Sequence, residues 1–169
     1  FINLLKRLKV DSQKSSMGFS VKAPYKQLEY SGSSLNALFA QRRNLFRPSF
    51  YIMIKDVLRF NRVAKSELEG LVESMTIKEF LKQKNFSNHF IENYIIPMGA
   101  AIWSTAAEKT IEMPAVFYIR FFQNHGLLQV NNRPQWWVIK GGSKSYIEKI
   151  KEGFEKQIRL STPVKKVIR

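Results

Sequence analysis

The chain has 169 residues, 44% hydrophobic and 13% aromatic, enough apolar side chain to bury a core of single-domain size and too much for a disordered chain. It has no cysteine, which excludes disulfides and thiolate chemistry and fits a reducing, cytoplasmic setting. Its 28 Lys and Arg against 13 Asp and Glu leave a net charge of +15, a field that attracts nucleic acid, anionic lipid or acidic substrates but says nothing about fold.

"FINLLKRLKV" opens the sequence without a methionine, and its basic residues lie inside the apolar segment, unlike a secretory signal. "TPVKKVIR" closes it inside a strand-like run, so both ends predict a piece of a longer protein. Leu4, Leu5 and Leu8 share one face of a short helix running into Val10. "MGFSVKAPYKQLEY" predicts two short strands around a turn at Ala23-Pro24, closed by "SGSS". From Pro48, Phe50, Met53, Ile54, Val57 and Leu58 recur at helical spacing and predict an amphipathic helix with Lys55, Arg59 and Arg62 in water.

Thr76 and Glu79 have capping-box spacing, in which each side chain satisfies a free backbone N–H at a helix start. Ser87 predicts another helix start; Pro97 then predicts a kink, and Gly99-Ala100-Ala101 a surface bare enough for close packing. The apolar run 95–103 is well below the roughly 20 residues of a membrane-spanning helix. Beyond a polar loop at 104–109, Pro114 and Gly126 frame a helix whose "AVFYIRFF" is apolar nearly all round. Phe117, Tyr118, Phe121 and Phe122 are therefore either plain core or the wall of a pocket. His89 and His125 have no cysteine or second histidine at ligand spacing, which argues against zinc, and His125 reads as a helix-end group.

The last segment reads as a strand "QWWVIK", a turn at Gly141-Gly142, a helix from Ser143 burying Ile147, Ile150 and Phe154, and two further strand-like runs, "IRL" and "VKKVIR". The glycine pair lacks the third glycine of G-x-G-x-x-G and the Gly-Lys-Ser/Thr ending of a P-loop, so it is no phosphate cradle by pattern. A tight turn with positive φ explains it without any ligand; close approach of a strand end to one is the other reading. From Lys140 onward nine basic and three acidic residues alternate with apolar ones, as on a solvated face. Spacing identifies no catalytic triad or paired carboxylate.

Strand, GG, helix and "IRLSTPV" together resemble the middle of flavin-containing amine oxidases and their relatives protoporphyrinogen oxidase and phytoene desaturase. "LEYSGSSLNALFAQRRNLFRPSF", "IIPMGAAIWS", "RFFQNHGLLQVNNRPQWWVIKGGSKSY" and "LSTPV" extend that resemblance over nearly all of the chain, to the amine-oxidase-related group of predicted NAD/FAD-binding proteins. The resemblance implies an α+β fold: a mostly helical substrate domain with a small mixed sheet over 1–135, and a strand-helix-strand piece of a Rossmann-type FAD domain over 136–169. It implies an FAD-dependent oxidoreductase, moving a hydride from a C–H bond of an amine or a lipid-like substrate to the flavin. The FAD fingerprint lies outside the matched region, so the piece alone is expected to be inactive and to need the rest of the FAD domain as partner.

By the same resemblance, main-chain groups at Thr162, Pro163 and Val164 approach the adenine side of FAD, and Gly141 and Gly142 let a strand end lie near flavin and substrate. Trp103, Phe117, Phe121, Trp136 and Trp137 are candidate pocket residues. Arg42, Arg43 and Arg133 are candidates for the anionic end of a substrate, with a solvated or ion-paired role as the alternative. No metal is implied. The rival reading is a basic module for nucleic acid or an anionic membrane surface; the aromatics fall mostly on core stripes, which counts against nucleic acid and leaves peripheral membrane contact open.

Overall fold

A computed structural model describes residues 1–131 and 134–168. In chain order the elements are α1 (Ile2–Arg7), β1 (Ser12–Ser15), β2 (Ser20–Ala23), β3 (Leu28–Ser31), α2 (Leu35–Leu38), α3 (Pro48–Glu67), α4 (Ile77–Gln83), α5 (Asn88–Phe90), α6 (Ile96–Trp103), α7 (Ala107–Ile111), α8 (Ala115–Asn124), β4 (Trp136–Ile139) and α9 (Ser143–Lys151). The protein is α+β, mostly helical with two small antiparallel sheets. It divides into two compact units, Met17–Pro134 and Phe1–Ser16 with Gln135–Arg169.

The larger unit begins with the expected hairpin. β2 and β3 pair antiparallel with Val21 opposite Tyr30, joined through a tight turn that ends at Gln27 with φ +47°. Tyr30 is buried and donates to the carbonyl of Asn93 at 2.7 Å, and burial pushes its phenol pKa far up, with Tyr94 adding to the effect. Asn93 belongs to a π-helical turn, Ile91–Ile95, inserted directly ahead of α6, the helix that carries Pro97 in its first turn.

Helix α3 presents Phe50, Met53, Phe60 and Ala64 inward, all essentially solvent-free. The Phe60 ring meets Phe86 at 5.9 Å and Phe90 at 5.6 Å, and reaches Phe80 of α4 at 6.4 Å and Phe122 of α8 at 6.2 Å. Edge-on and tilted ring pairs at these distances add to the hydrophobic gain of burial. Helices α4 and α8 start side by side, since Ile77 donates to Met113 O and Ala115 to Met75 O, each at 2.8 Å. The capping box is present: Thr76 Oγ1 accepts from the Glu79 N–H at 3.2 Å, and Glu79 Oε2 accepts from the Thr76 N–H at 2.8 Å. Ser87 caps α5 by accepting from Phe90. At Gly99 an added Cβ would lie 2.3 Å from Thr110 Cγ2, so α6 and α7 approach as closely as the bare "GAA" surface implied.

One turn before Phe60, Asp56 is buried and receives the Ser87 N–H at 3.0 Å. Arg59 pairs with Asp56 at 3.0 Å, donates to Lys84 O and Asn85 O at 2.8 Å each, and lies 3.8 Å over the Phe86 ring. Burial pushes the Asp56 pKa up, but the Ser87 hydrogen bonds and Arg59 outweigh it and hold it below the ordinary carboxylate range.

In the smaller unit β1 pairs antiparallel with β4, from Ser12 opposite Ile139 to Ser15 opposite Trp136. Ser-Gln-Lys-Ser has no alternating apolar residues, so this strand left no trace in the pattern. Leu5 is the only buried residue of α1, which stops at Arg7 short of Val10. Two expectations for the tail are corrected. Ile147 and Ile150 lie on α9 and Phe154 in the turn just beyond it, yet they are 45%, 37% and 41% exposed, because no layer within this unit covers them. The runs 158–160 and 164–168 form no strand among the described residues, and the sheet of this unit consists of β1 and β4 alone there.

Two outcomes are expected for the larger unit. Phe60→Ala should lower the unfolding free energy by about 3–5 kcal/mol in denaturant titrations, the usual loss for a fully buried Phe. Asp56→Asn should destabilise at neutral pH, and its gap to wild type should close as pH falls. The native pKa of Asp56 is depressed, so its contribution is complete above the unfolded value of about 3.9 and is lost as pH falls through the lower folded value.

Candidate functional site

Helix α8 sorts the four rings that its sequence left undecided. Tyr118 and Phe122 are fully buried and stacked at 4.6 Å, and the Tyr118 hydroxyl donates to Ile95 O at 2.8 Å. Phe117 is 48% exposed and Phe121 half-buried. These two line an open cleft of ≈ 430 Å³ with Arg120, Asn124, His125 and Glu73. Trp103, at the end of α6, packs behind them at 5.5 Å from Phe117 and 5.0 Å from Phe121. His125 stacks on Phe121 at 3.9 Å, and its Nδ1 lies 2.8 Å from Phe121 O. A carbonyl only accepts, so the proton there sits on Nδ1. The histidine thus caps the helix end.

The cleft has an aromatic wall and a polar rim. The side chains of Arg120, Glu73 and Asn124 make no hydrogen bond or ion pair among the described residues. Their donors and acceptors face solvent and can be offered to a polar end of a ligand whose apolar body lies on Phe117 and Phe121. Residues 117, 121 and 124–125 form one stripe at helical spacing, so the sequence shows that they share a face but not that this face lines a cleft; Glu73 joins from a separate segment and carried no signal.

Other candidates lie elsewhere. Arg42 and Arg43 sit on a 3-10 turn, Arg42–Phe46, and do not line the cleft. Arg42 donates to Asn36 Oδ1 at 2.8 Å and Phe39 O at 3.1 Å; Arg43 donates to Gln27 Oε1 at 2.7 Å and to Gln27 O. Both are bound by neutral acceptors and, among the described residues, by no carboxylate. Arg133 lies outside the described residues. On α5, His89 has its pKa lowered by burial and by the charges of Lys26 and Arg47, against an opposing pull from Glu92.

Trp136 and Trp137 belong to β4 in the smaller unit, where half-exposed Trp137 lines an apolar groove of ≈ 490 Å³ with Phe1, Ile2, Leu5 and Val138. After β4, Gly141 and Gly142 take φ +81° and +78°, a region L side chains rarely enter. Ser145 Oγ donates to Lys140 O at 3.1 Å across the turn. Backbone conformation alone therefore accounts for the glycine pair. Beyond α9, Val164 is 79% exposed, and the main chain of 162–164 belongs to no sheet.

As an FAD site the smaller unit fits in part. The main chain at Thr162 and Val164 offers the N–H and C=O groups that can meet an adenine edge, whereas Pro163 has no N–H and no run of glycines cradles a pyrophosphate. No group of three or more His, Asp or Glu that could hold a metal occurs among the described residues. No helix among them is long and apolar enough to cross a membrane. Neither a protein-family model nor any curated protein matches the sequence.

The sorting of α8 is testable by equilibrium unfolding. Phe117→Ala, at a half-exposed wall, should cost about 1 kcal/mol or less, while Phe122→Ala should cost about 3–5 kcal/mol.

Proposed function

We propose that the chain is the substrate domain, with a returning piece of the cofactor domain, of an FAD-dependent oxidoreductase resembling the flavin-containing amine oxidases. One observation supports this reading above the rest. The smaller unit has a strand, a positive-φ glycine turn and a helix, and carries a series of exposed large apolar side chains that no layer within this unit covers among the described residues: Ile147, Ile150 and Phe154, then Leu160, Val164, Val167 and Ile168. Large apolar groups exposed in a continuous series belong against another layer, and the missing layer of a nucleotide-binding domain is one that fits.

FAD, when bound, accepts the hydride and carries the chemistry. The residues of this chain hold and shield. Phe117 and Phe121, backed by Trp103, take the apolar body of an amine or lipid-like substrate and keep water from it, while Arg120 and Asn124 engage its polar end. The main chain at Thr162 and Val164 meets the adenine. The rival reading, a basic module for nucleic acid, finds less support, since most of the aromatic rings are buried in the core.

Expression of this segment together with its natural flanking sequence tests the reading. The purified protein should show flavin absorbance, and Val164→Pro, which removes one main-chain donor, should lower its retained flavin several-fold at unchanged helicity. Longer protein that stays colourless after incubation with FAD would overturn the assignment.

A further inference from the structure

A second surface, on the larger unit, has a different character. From residue 30 to residue 55 there is no Asp or Glu, while Arg42, Arg43, Arg47 and Lys55 all lie there. The same stretch exposes Leu35 at 78% and Phe46 at 86%, with Leu45, Tyr51 and Ile52 between 41% and 49%. These residues form one shoulder. Arg42 ties the 3-10 turn to Asn36 beside Leu35, the Tyr51 hydroxyl donates to Leu45 O at 3.0 Å, and the Phe39 and Tyr51 rings lie 6.0 Å apart.

The charges of this shoulder are held in place without being cancelled. Arg43 and Arg47 both donate to Gln27, with Arg47 reaching its carbonyl at 2.9 Å, and Arg42 donates to an amide and a carbonyl. The carboxylates beside it are already engaged: Glu29 with Lys22 at 3.7 Å and Glu92 with Lys26 at 2.6 Å. The guanidiniums therefore project an uncompensated positive field around protruding apolar side chains.

We propose that this shoulder, α2, the turn Arg42–Phe46 and the first turns of α3, docks on the surface of an anionic lipid bilayer. Phe46 and Leu35 enter the boundary between headgroups and acyl chains, and the arginines and Lys55 meet lipid phosphates and carboxylates. A second copy of this chain is a poor occupant, because a two-fold contact would bring like charges together. Nucleic acid is a poorer one than lipid, because base stacking uses aromatic platforms, whereas three of the five exposed apolar groups here are the aliphatic Leu35, Leu45 and Ile52.

Flotation of the whole chain with vesicles of phosphatidylcholine alone, or of phosphatidylcholine with phosphatidylserine, tests the proposal. Binding should require phosphatidylserine and weaken with salt. Phe46→Ser with Leu35→Ser, both at exposed positions, should weaken it by about tenfold or more, with circular dichroism unchanged. Arg42→Gln with Arg43→Gln should weaken it by about twentyfold. Val167→Ser with Ile168→Ser, exposed in the other unit, should leave it within about twofold of wild type. Equal binding to neutral vesicles would overturn the proposal, as would no binding to either kind or full binding by the Phe46/Leu35 variant. Polyuridylate binding lost in that same variant would also overturn it and make the shoulder a nucleic-acid surface.

Discussion

Phe60 and Asp56 stand one turn apart on α3, and the larger unit is organised around what they hold. Phe60 sits where rings from α4, α5 and α8 converge. Asp56 draws in the Ser87 N–H at the start of α5, and Arg59 binds two carbonyls of the preceding loop. An apolar contact sets how closely the helices approach. The charged cluster beside it sets where the chain turns between α4 and α5. A buried carboxylate is tolerated here because its partners satisfy it; leaving it unpaired would be costly.

That arrangement determines what remains on the outside of α8. Tyr118, Ile119 and Phe122 are committed to the core, so Phe117, Arg120 and Asn124 on the opposite side look outward, with Phe121 at the margin. Trp103 supports the two marginal rings from behind. The cleft thus has a rigid aromatic back wall resting on a packed interior, and loose polar groups only at its rim. Such a division suits a site that orients an apolar body and exchanges its polar contacts with water.

Much of the larger unit was legible because its signals are local. The i, i+3, i+4 stripe of Phe50, Met53 and Val57, the Thr76/Glu79 box, Ser87, and the Gly126 stop at φ +67° each act within a few residues. What local pattern missed was decided at long range. β1 is polar and exists because β4, more than a hundred residues later, pairs with it. The stripe Ile147, Ile150 and Phe154 has the periodicity of a buried helix face, but periodicity says which residues share a face and not whether anything covers it. Likewise Val164 and Val167 have strand chemistry, yet the chain there pairs with no strand among the described residues. For the cleft, spacing put Phe117 and Phe121 on one face of α8 and His125 one turn beyond Phe121, but which face lines the cleft, and that Glu73 joins it, depends on how the rest of the chain packs.

The central physical claim is that the larger unit is held by its own core while the tail of the smaller one lacks a covering layer. Amide hydrogen exchange on the whole chain tests it most directly. The account predicts slow exchange in α3, α4 and α8 around Phe60, and exchange near the unprotected rate in 158–168, where the backbone forms no sheet. Tail amides as protected as those of α3 would contradict it, since they would show that this chain already supplies the missing layer.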